Sequence, residues 1–449
     1  MPGNITNGNT NHDRPLEIVI VGGSLGGLAA GIALKTLGHN ITILERNPTP
    51  LLQNQGAGIV AGGDTLAFFE KYDRCKRPFA CPSQKRMYLD KEGKVVHAID
   101  KLQAMTSWDL AYYIMRANFD RVESDYIAKL PDVVEDDGEA RYRYGCTFTN
   151  VSQEDDSGKV RVHFDKHQGG SESILADLLI GSDGPSSSVR KLFCPDVKRT
   201  MTGYCALRGT VPETEASDAA KEAFQERFTF FHSAGIQILA YLIPGVNGSV
   251  EPGKRLVNFV WYFNFPLESQ EFEDLMTDAD GNRHRTTLPP GKMQPKVWDR
   301  MKQVAQARLP PQFAEIISKT KYPFAQAITD VISPTNTFMN GKVLLIGDAL
   351  AGFRPHTVAS TSQAAFDAMV LAEFVVGRKG HDEFVRETMM FGRLIQKRGV
   401  EMGTRSQFGI EVPLEEHIRD RNMASTRRED EVYPDWTREG LPGGAIRTN

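Results

Sequence analysis

An apolar run, Leu16 to Val21, passes straight into the turn Gly22-Gly23-Ser24-Leu25-Gly26-Gly27. Leu28 to Leu37 then places small and apolar residues at helical spacing, and Gly38 stops them. Ile41 to Leu44 is a second buried-type run, ending on Glu45. Strand, glycine turn, helix and strand make a β-α-β unit, which commits the start of the chain to a parallel sheet covered by helices. The unit is also a binding site, because the helix N-terminus presents free N–H groups and a positive dipole end to a diphosphate. Gly22 allows the tight bend and Gly27 the close packing of helix on strand. Ser24 replaces the middle glycine of the usual pattern and offers a hydroxyl to a phosphate oxygen, next to Leu25. Glu45 and its neighbour Arg46 lie at the end of the second strand. A carboxylate there suits both hydroxyls of an adenosine ribose and repels a 2'-phosphate.

Two later stretches extend the pattern. Leu178 to Ile180 leads into Gly181-Ser182-Asp183-Gly184, and Val343 to Ile346 leads into Gly347-Asp348, followed by Arg354-Pro355-His356. Each sets an aspartate just past an apolar strand. The ordered trio reads as one flavin site, with Asp348 placed to meet the ribityl chain. Arg116, in the helical stretch Tyr113 to Phe119, is a candidate clamp for the diphosphate or the ribityl chain. The plainer alternatives are a solvated helix face for Arg116 and turn-forming roles for Asp183 and Asp348.

From Tyr204 to Phe265 the pattern becomes strand-like, with Ile236 to Ile243 and Leu256 to Phe263 rich in β-branched and aromatic residues. This segment is expected to form an antiparallel sheet over a pocket. Its candidates are Tyr204, Arg208, His232, Gln237 and Tyr241, although half of every strand faces away from any one pocket. His356 follows Pro355, and a side chain that titrates near neutral pH suits deprotonation of a phenol. The alternative is a histidine that only hydrogen-bonds its loop. Thr277 to Lys292 reads as a loop, Ala364 to Val376 as a helix, and the charged stretch from Glu415 to Glu431 as an irregular arm.

The fold class expected is α/β. A discontinuous Rossmann-like cofactor domain spans 15–200 and 320–380, with an antiparallel-sheet substrate domain inserted at 201–319. C-terminal helices and the charged arm occupy 381–449, and a disordered tail occupies 1–14. A chain of 449 residues exceeds what one core usually serves. The net charge of −4 and the lack of a long basic run argue against nucleic acid as a partner. The five cysteines form no CxxC pair and no metal-ligand spacing, so free thiols in a reducing, cytoplasmic setting and no metal are expected. No apolar stretch approaches the length of a membrane span or a secretion signal.

In the order of its motifs, residues 16–409 resemble the single-component FAD-dependent aromatic hydroxylases of the para-hydroxybenzoate hydroxylase superfamily. Within it the chain looks most like the 2,6-dihydroxypyridine 3-hydroxylase-like group. The segments that carry this likeness are Gly22 to Leu28, Gly56-Ala57-Gly58-Ile59-Val60, Thr106-Ser107-Trp108, Leu239 to Gly245 and Arg354-Pro355-His356. The resemblance implies FAD as cofactor, NAD(P)H as co-substrate, and O2 with a small aromatic compound as the other reactants. It implies that Glu45 holds the adenosine ribose, Arg116 the middle of FAD and Asp348 the ribityl chain. Gly58 and Pro355 would lie along the cofactor, and Asp183-Gly184 would serve both FAD and NAD(P)H. It further implies hydroxylation of an electron-rich ring through a C4a-hydroperoxyflavin, in simple or decarboxylative form. One departure stands out: the glycine-rich stretch expected after the proline reads Val358, Ser360 and Ser362 here. The Trp-x-Trp-x-Ile-Pro segment of flavin halogenases is absent. An FAD-dependent reductase of an apolar substrate and an FAD-stabilised binding protein remain the competing readings. The charged arm offers a means of homodimerisation.

Overall fold

The computed structural model describes residues 14–50, 57–154, 157–409 and 413–423. Residues 1–13 of the expected tail, Gly56 of the resembling stretch and the arm beyond residue 423 lie outside them. Arg14, the tail residue that is described, pairs with Asp177 at 2.7 Å.

The opening unit forms as read: strand Glu17–Val21, helix Leu25–Lys35, strand Asn40–Glu45. A six-stranded sheet grows around it in the order Thr337–Phe338, Val343–Leu345, Leu178–Gly181, Glu17–Val21, Asn40–Glu45, Ala140–Tyr144. Every pairing is parallel except the first. In the central strand, Ile18 and Ile20 belong to the core shared with helices Leu25–Lys35, Trp108–Asp120 and Ser360–Val375. Val19 and Val21 belong to a second core, shared with a three-stranded sheet of Cys146–Gln153, Val160–Lys166 and Ser171–Ala176. Cover on both faces is why this strand reads as apolar without alternation.

The second sheet is mostly antiparallel. Its main path runs Thr287–Leu288, Phe324–Ile332, Thr200–Pro212, Leu256–Asn264, Ile236–Ile243, Arg227–Ser233, Cys81–Leu89, Val95–Ser107, Gly58–Ala61. Three of these strands come from residues 58–107, ahead of the segment expected to supply the sheet. Cys81–Leu89 escapes a hydropathy reading because it buries Ser83 and Arg86 and exposes Pro82 and Gln84. One face of the sheet packs through Leu207, Ile238, Phe259 and Trp261 on helices Asp218–Phe224, Gln270–Met276, Pro295–Arg308 and Pro311–Lys319. Each such side chain contributes about 1.5–3 kcal/mol on burial.

The other face carries rings and polar groups. Two helices close it, His381–Phe408 and Leu414–Met423. The stretch after Ile410, expected to be irregular, is therefore helical where it is described, and Leu414 and Ile418 pack on the sheet. Its acids Glu416 and Asp420 pair with Arg405 of the neighbouring helix, whereas Arg421 turns inward and is buried. All five cysteines are free. Among the described residues no helix is long and apolar enough to cross a membrane, and no cluster could hold a metal ion.

Candidate active site

Sheet order brings the three sequence motifs together. Val21 pairs with Gly181 and Gly181 with Leu345, so Gly22, Asp183 and Asp348 all follow the carboxyl ends of adjacent parallel strands. That edge is where ligands bind in open α/β sheets. Packing dictates the two key glycines. Gly22 has φ +102°, and a Cβ there would lie 2.4 Å from the Ser182 carbonyl oxygen. A Cβ on Gly27 would lie 1.9 Å from the Gly22 carbonyl oxygen. Ser24 stands at the N-cap without a side-chain capping bond, and the first turn carries no acid. Its N–H groups are left for an anion.

Glu45 is buried, and its two oxygens accept from the N–H groups of Gly23 (3.0 Å) and Asn47 (2.9 Å). It holds the glycine turn against the second strand, while Arg46 is exposed. Arg116 is neither solvated nor open to a ligand. It forks onto Asp120 at 3.0 and 2.8 Å and donates to the hydroxyls of Tyr112 (2.7 Å) and Tyr144 (2.5 Å). Its guanidinium lies 3.7 Å from the centre of the Tyr142 ring. Tyr142 donates to the Gly23 carbonyl at 2.8 Å and so links this cluster to the turn. Sequence reading missed Tyr142, although the alternation Tyr142-Arg143-Tyr144 marks two tyrosines on one strand face.

The two aspartates differ. Asp183 caps the helix Ser188–Phe193, its Oδ2 accepting from Ser188 (2.5 Å) and Val189 (3.3 Å), so the turn-forming reading holds for that oxygen. Its Oδ1 is buried without a partner. Asp348 is half-buried in the turn Gly347–Ala349 and makes no side-chain hydrogen bond among the described residues. Burial pushes its carboxyl up to about 6, against the pull of Arg199. In flavin-free protein this raised value favours the protonated carboxyl in the folded state. Its contribution is present below the ordinary carboxylate value of about 3.9 and lost as pH rises through the folded value. Asp348→Asn is therefore expected to raise the Tm of flavin-free protein near pH 8 and to leave it unchanged near pH 4. Equal melting curves near pH 8 would remove the burial argument.

These residues fit FAD. Two glycines press the backbone against the crevice, the helix N-terminus is uncapped, and the unpaired Asp348 carboxylate waits two strands further on.

On the second sheet, alternation places all five expected candidates on one face. Tyr204, Arg208, His232, Gln237 and Tyr241 share it with Arg86, Tyr88, Asn258 and Tyr262. Arg208 donates to the Gly58 carbonyl (3.0 Å), and Asn258 accepts from the Gly58 N–H (3.2 Å), so this pair docks the strand Gly58–Ala61. Tyr241 is buried beside Asn258, and burial lifts its hydroxyl to about 12. His232 stacks on His417 at 4.3 Å, and both its ring nitrogens lack partners.

His356 is not the open base that its sequence position suggests. It is fully buried in the turn Pro355–Thr357. Gln237 Oε1 accepts from its Nδ1 (3.0 Å) and from Ser406 (2.9 Å), so Nε2 accepts from the Tyr204 hydroxyl at 2.9 Å. Its ring packs 4.3 Å from that of Tyr262. Burial, with Arg421 and Arg354 nearby, holds it well below its ordinary pKa, so it stays neutral. It locks the turn to the sheet.

Beside that turn lies a cavity of about 610 Å³, lined by Val60, Gly62, Gln103, Thr357, Val358 and Phe391 among others. Val358 adopts φ 54°, ψ 29°, a left-handed conformation that costs a β-branched residue about 1–2 kcal/mol. The backbone thus keeps the shape of a glycine-bearing turn although the residue is valine.

Comparison with known proteins agrees with this geometry. Residues 201–330 match a family described as FAD binding domain-like. The 2,6-dihydroxypyridine 3-monooxygenase of Paenarthrobacter nicotinovorans is 29% identical over 82% of this chain and 84% of its own length. The 6-hydroxynicotinate 3-monooxygenase of Pseudomonas fluorescens is 23% identical over 82% of this chain and 84% of its own. The solved structure of 2,6-dihydroxypyridine-3-hydroxylase from Arthrobacter nicotinovorans has a TM-score of 0.75 and 26% identity, covering 89% of this chain and 94% of that one.

Proposed function

We propose that this chain, which is similar to the single-component FAD-dependent aromatic hydroxylases, inserts one oxygen atom of O2 into an electron-rich ring of the phenol, hydroxybenzoate or hydroxypyridine type, at the expense of NAD(P)H. The balance is ring–H + NAD(P)H + H⁺ + O2 giving ring–OH + NAD(P)⁺ + H2O. Bound FAD supplies the transfer of electrons from NAD(P)H to O2 and the delivery of oxygen to the ring. The observation that carries this reading is the unpaired Asp348 carboxylate at the same strand edge as the uncapped glycine turn.

The chain's own residues bind, orient and shield. The turn Gly22–Gly27 and Asp348 hold the cofactor along the strand ends. Arg116 acts one layer behind, bracing Tyr142 and Tyr144 against the turn. The bonded set Tyr204, His356, Gln237 and Ser406 fixes the turn Pro355–Thr357 between cofactor and sheet. Helices His381–Phe408 and Leu414–Met423 exclude water from the ring-lined face, which oxygen transfer requires. The names of the two relatives point to a pyridine bearing hydroxyls as one substrate type. A ring carboxylate on the attacked carbon would make the reaction decarboxylative.

The test is NAD(P)H oxidation with O2 uptake by the FAD-loaded protein, across phenols, hydroxybenzoates and hydroxypyridines. One ring should stimulate oxidation, with hydroxylated product matching NAD(P)H consumed. Tightly bound FAD without stimulation by any ring would favour the reductase or binding-protein reading instead.

A further inference from the structure

We propose that Arg86 and Arg421 form a buried anion-binding pair that takes a carboxylate or ionised hydroxyl of the aromatic substrate on the ring-lined face of the second sheet. The proposal rests on the hydroxylase reading above and narrows its substrate to an anionic aromatic compound.

The two guanidinium groups come from distant parts of the chain. Arg86 lies on Cys81–Leu89 and is 0% exposed; Arg421 lies on Leu414–Met423 and is 2% exposed. Arg86 donates from Nε to Gln103 Oε1 (2.7 Å) and from Nη1 to the Arg421 carbonyl (3.1 Å) and Asn422 Oδ1 (3.2 Å). Arg421 donates from Nη1 to the His356 carbonyl. The Nη2 of each has no partner. Neither arginine forms an ion pair among the described residues, and Asp420, beside Arg421 in sequence, is bound to Arg405. Two buried like charges without a counter-charge are costly, and one anion between them relieves both desolvation and repulsion. Burial and the neighbouring Arg421 already lower Arg86 to about 10.

The surroundings suit an aromatic ligand. Arg421 lies 5.0 Å from the Phe230 ring centre and Arg86 6.0 Å from that of Phe228. Tyr88 stacks on Phe230 at 5.2 Å, and its hydroxyl is buried and unpartnered, as are both His232 nitrogens. Gln103, held by Arg86, also lines the large cavity, so the pair stands directly behind the cavity wall. Two cations at this place also lower the pKa of a ring hydroxyl, and an ionised hydroxyl makes the ring a better nucleophile.

The experiment titrates the FAD-loaded protein with 3-hydroxybenzoate and 6-hydroxynicotinate, each beside its neutral amide. Binding is read from the flavin spectrum and from Tm. The acids are expected to bind at least about tenfold tighter than the amides, the value of one charge-assisted hydrogen bond. Arg421→Gln and Arg86→Gln should each remove that preference at unchanged flavin content, and Arg421→Lys, which keeps the charge, should lose less. Amides binding as tightly as acids, acid binding that survives both glutamine variants, or no binding of either acid would each overturn the pair. Turnover of neutral rings without acid preference would overturn the pair and leave the hydroxylase standing. Acid binding that depends on both arginines, without coupled turnover, would keep the pair and overturn the hydroxylase.

Discussion

Asp348→Ala is expected to fold and to purify nearly colourless, with flavin affinity lower by about 10–100-fold, the range for losing a hydrogen bond to a charged group. The carboxylate has no protein hydrogen bond to lose among the described residues, so the backbone of the turn Gly347–Ala349 should not change. That turn is held independently, by Asp367 accepting from the Gly347 N–H at 2.8 Å. Flavin absorbance per mole of protein, with circular dichroism as a check on folding, decides the matter. A fully yellow variant would reject Asp348 as the cofactor's anchor.

Gly27→Ala should do broader damage. The new Cβ would meet the Gly22 carbonyl oxygen at 1.9 Å and Ile20 Cγ2 at 3.3 Å, and the first of these is backbone with no rotamer to relieve it. The helix Leu25–Lys35 would have to lift off the strand that it covers. Overpacking of this kind costs about 3 kcal/mol, which corresponds to a Tm lower by roughly 6–12 °C in a large domain. Ser24→Ala is the matched control, because Ser24 makes no capping bond; its change should stay within about 0.5 kcal/mol. If the two variants melt alike, the close approach does not constrain the turn.

The parts of this molecule that depend on backbone geometry were legible in sequence. A glycine turn between apolar strands, and aspartates just past apolar strands, carry their meaning locally, and the sheet order then joined them. The strands Ile236–Ile243 and Leu256–Asn264 were legible for a related reason: β-branched and aromatic runs have few alternatives. His356 shows the limit. Its position beside Pro355 suggested an open base, yet Tyr204 and Gln237, 152 and 119 residues away, take both its nitrogens. Arg116 likewise could not be distinguished from a ligand clamp without Tyr112, Tyr142 and Tyr144 in place. Leu414–Met423 was read as part of an irregular arm because charged residues dominate it. The inward turn of Arg421 depends on a pocket built from Arg86, Tyr88, Phe230 and Tyr262. No local pattern contains that pocket.

The weave of the two sheets bears on how such a protein can diversify by recombination. The chain crosses between them repeatedly, since strands at 58–107 and 200–332 build one sheet and strands at 17–45, 140–144, 178–181 and 337–345 the other. No single crossover point in a gene therefore separates one sheet from the other. An exchange limited to 200–332 would replace Tyr204 and Tyr241 themselves and leave His356 and Arg86, outside that segment, facing a foreign surface. Moving the ring-lined face intact takes two segments at once, together with the helix that brings Arg421.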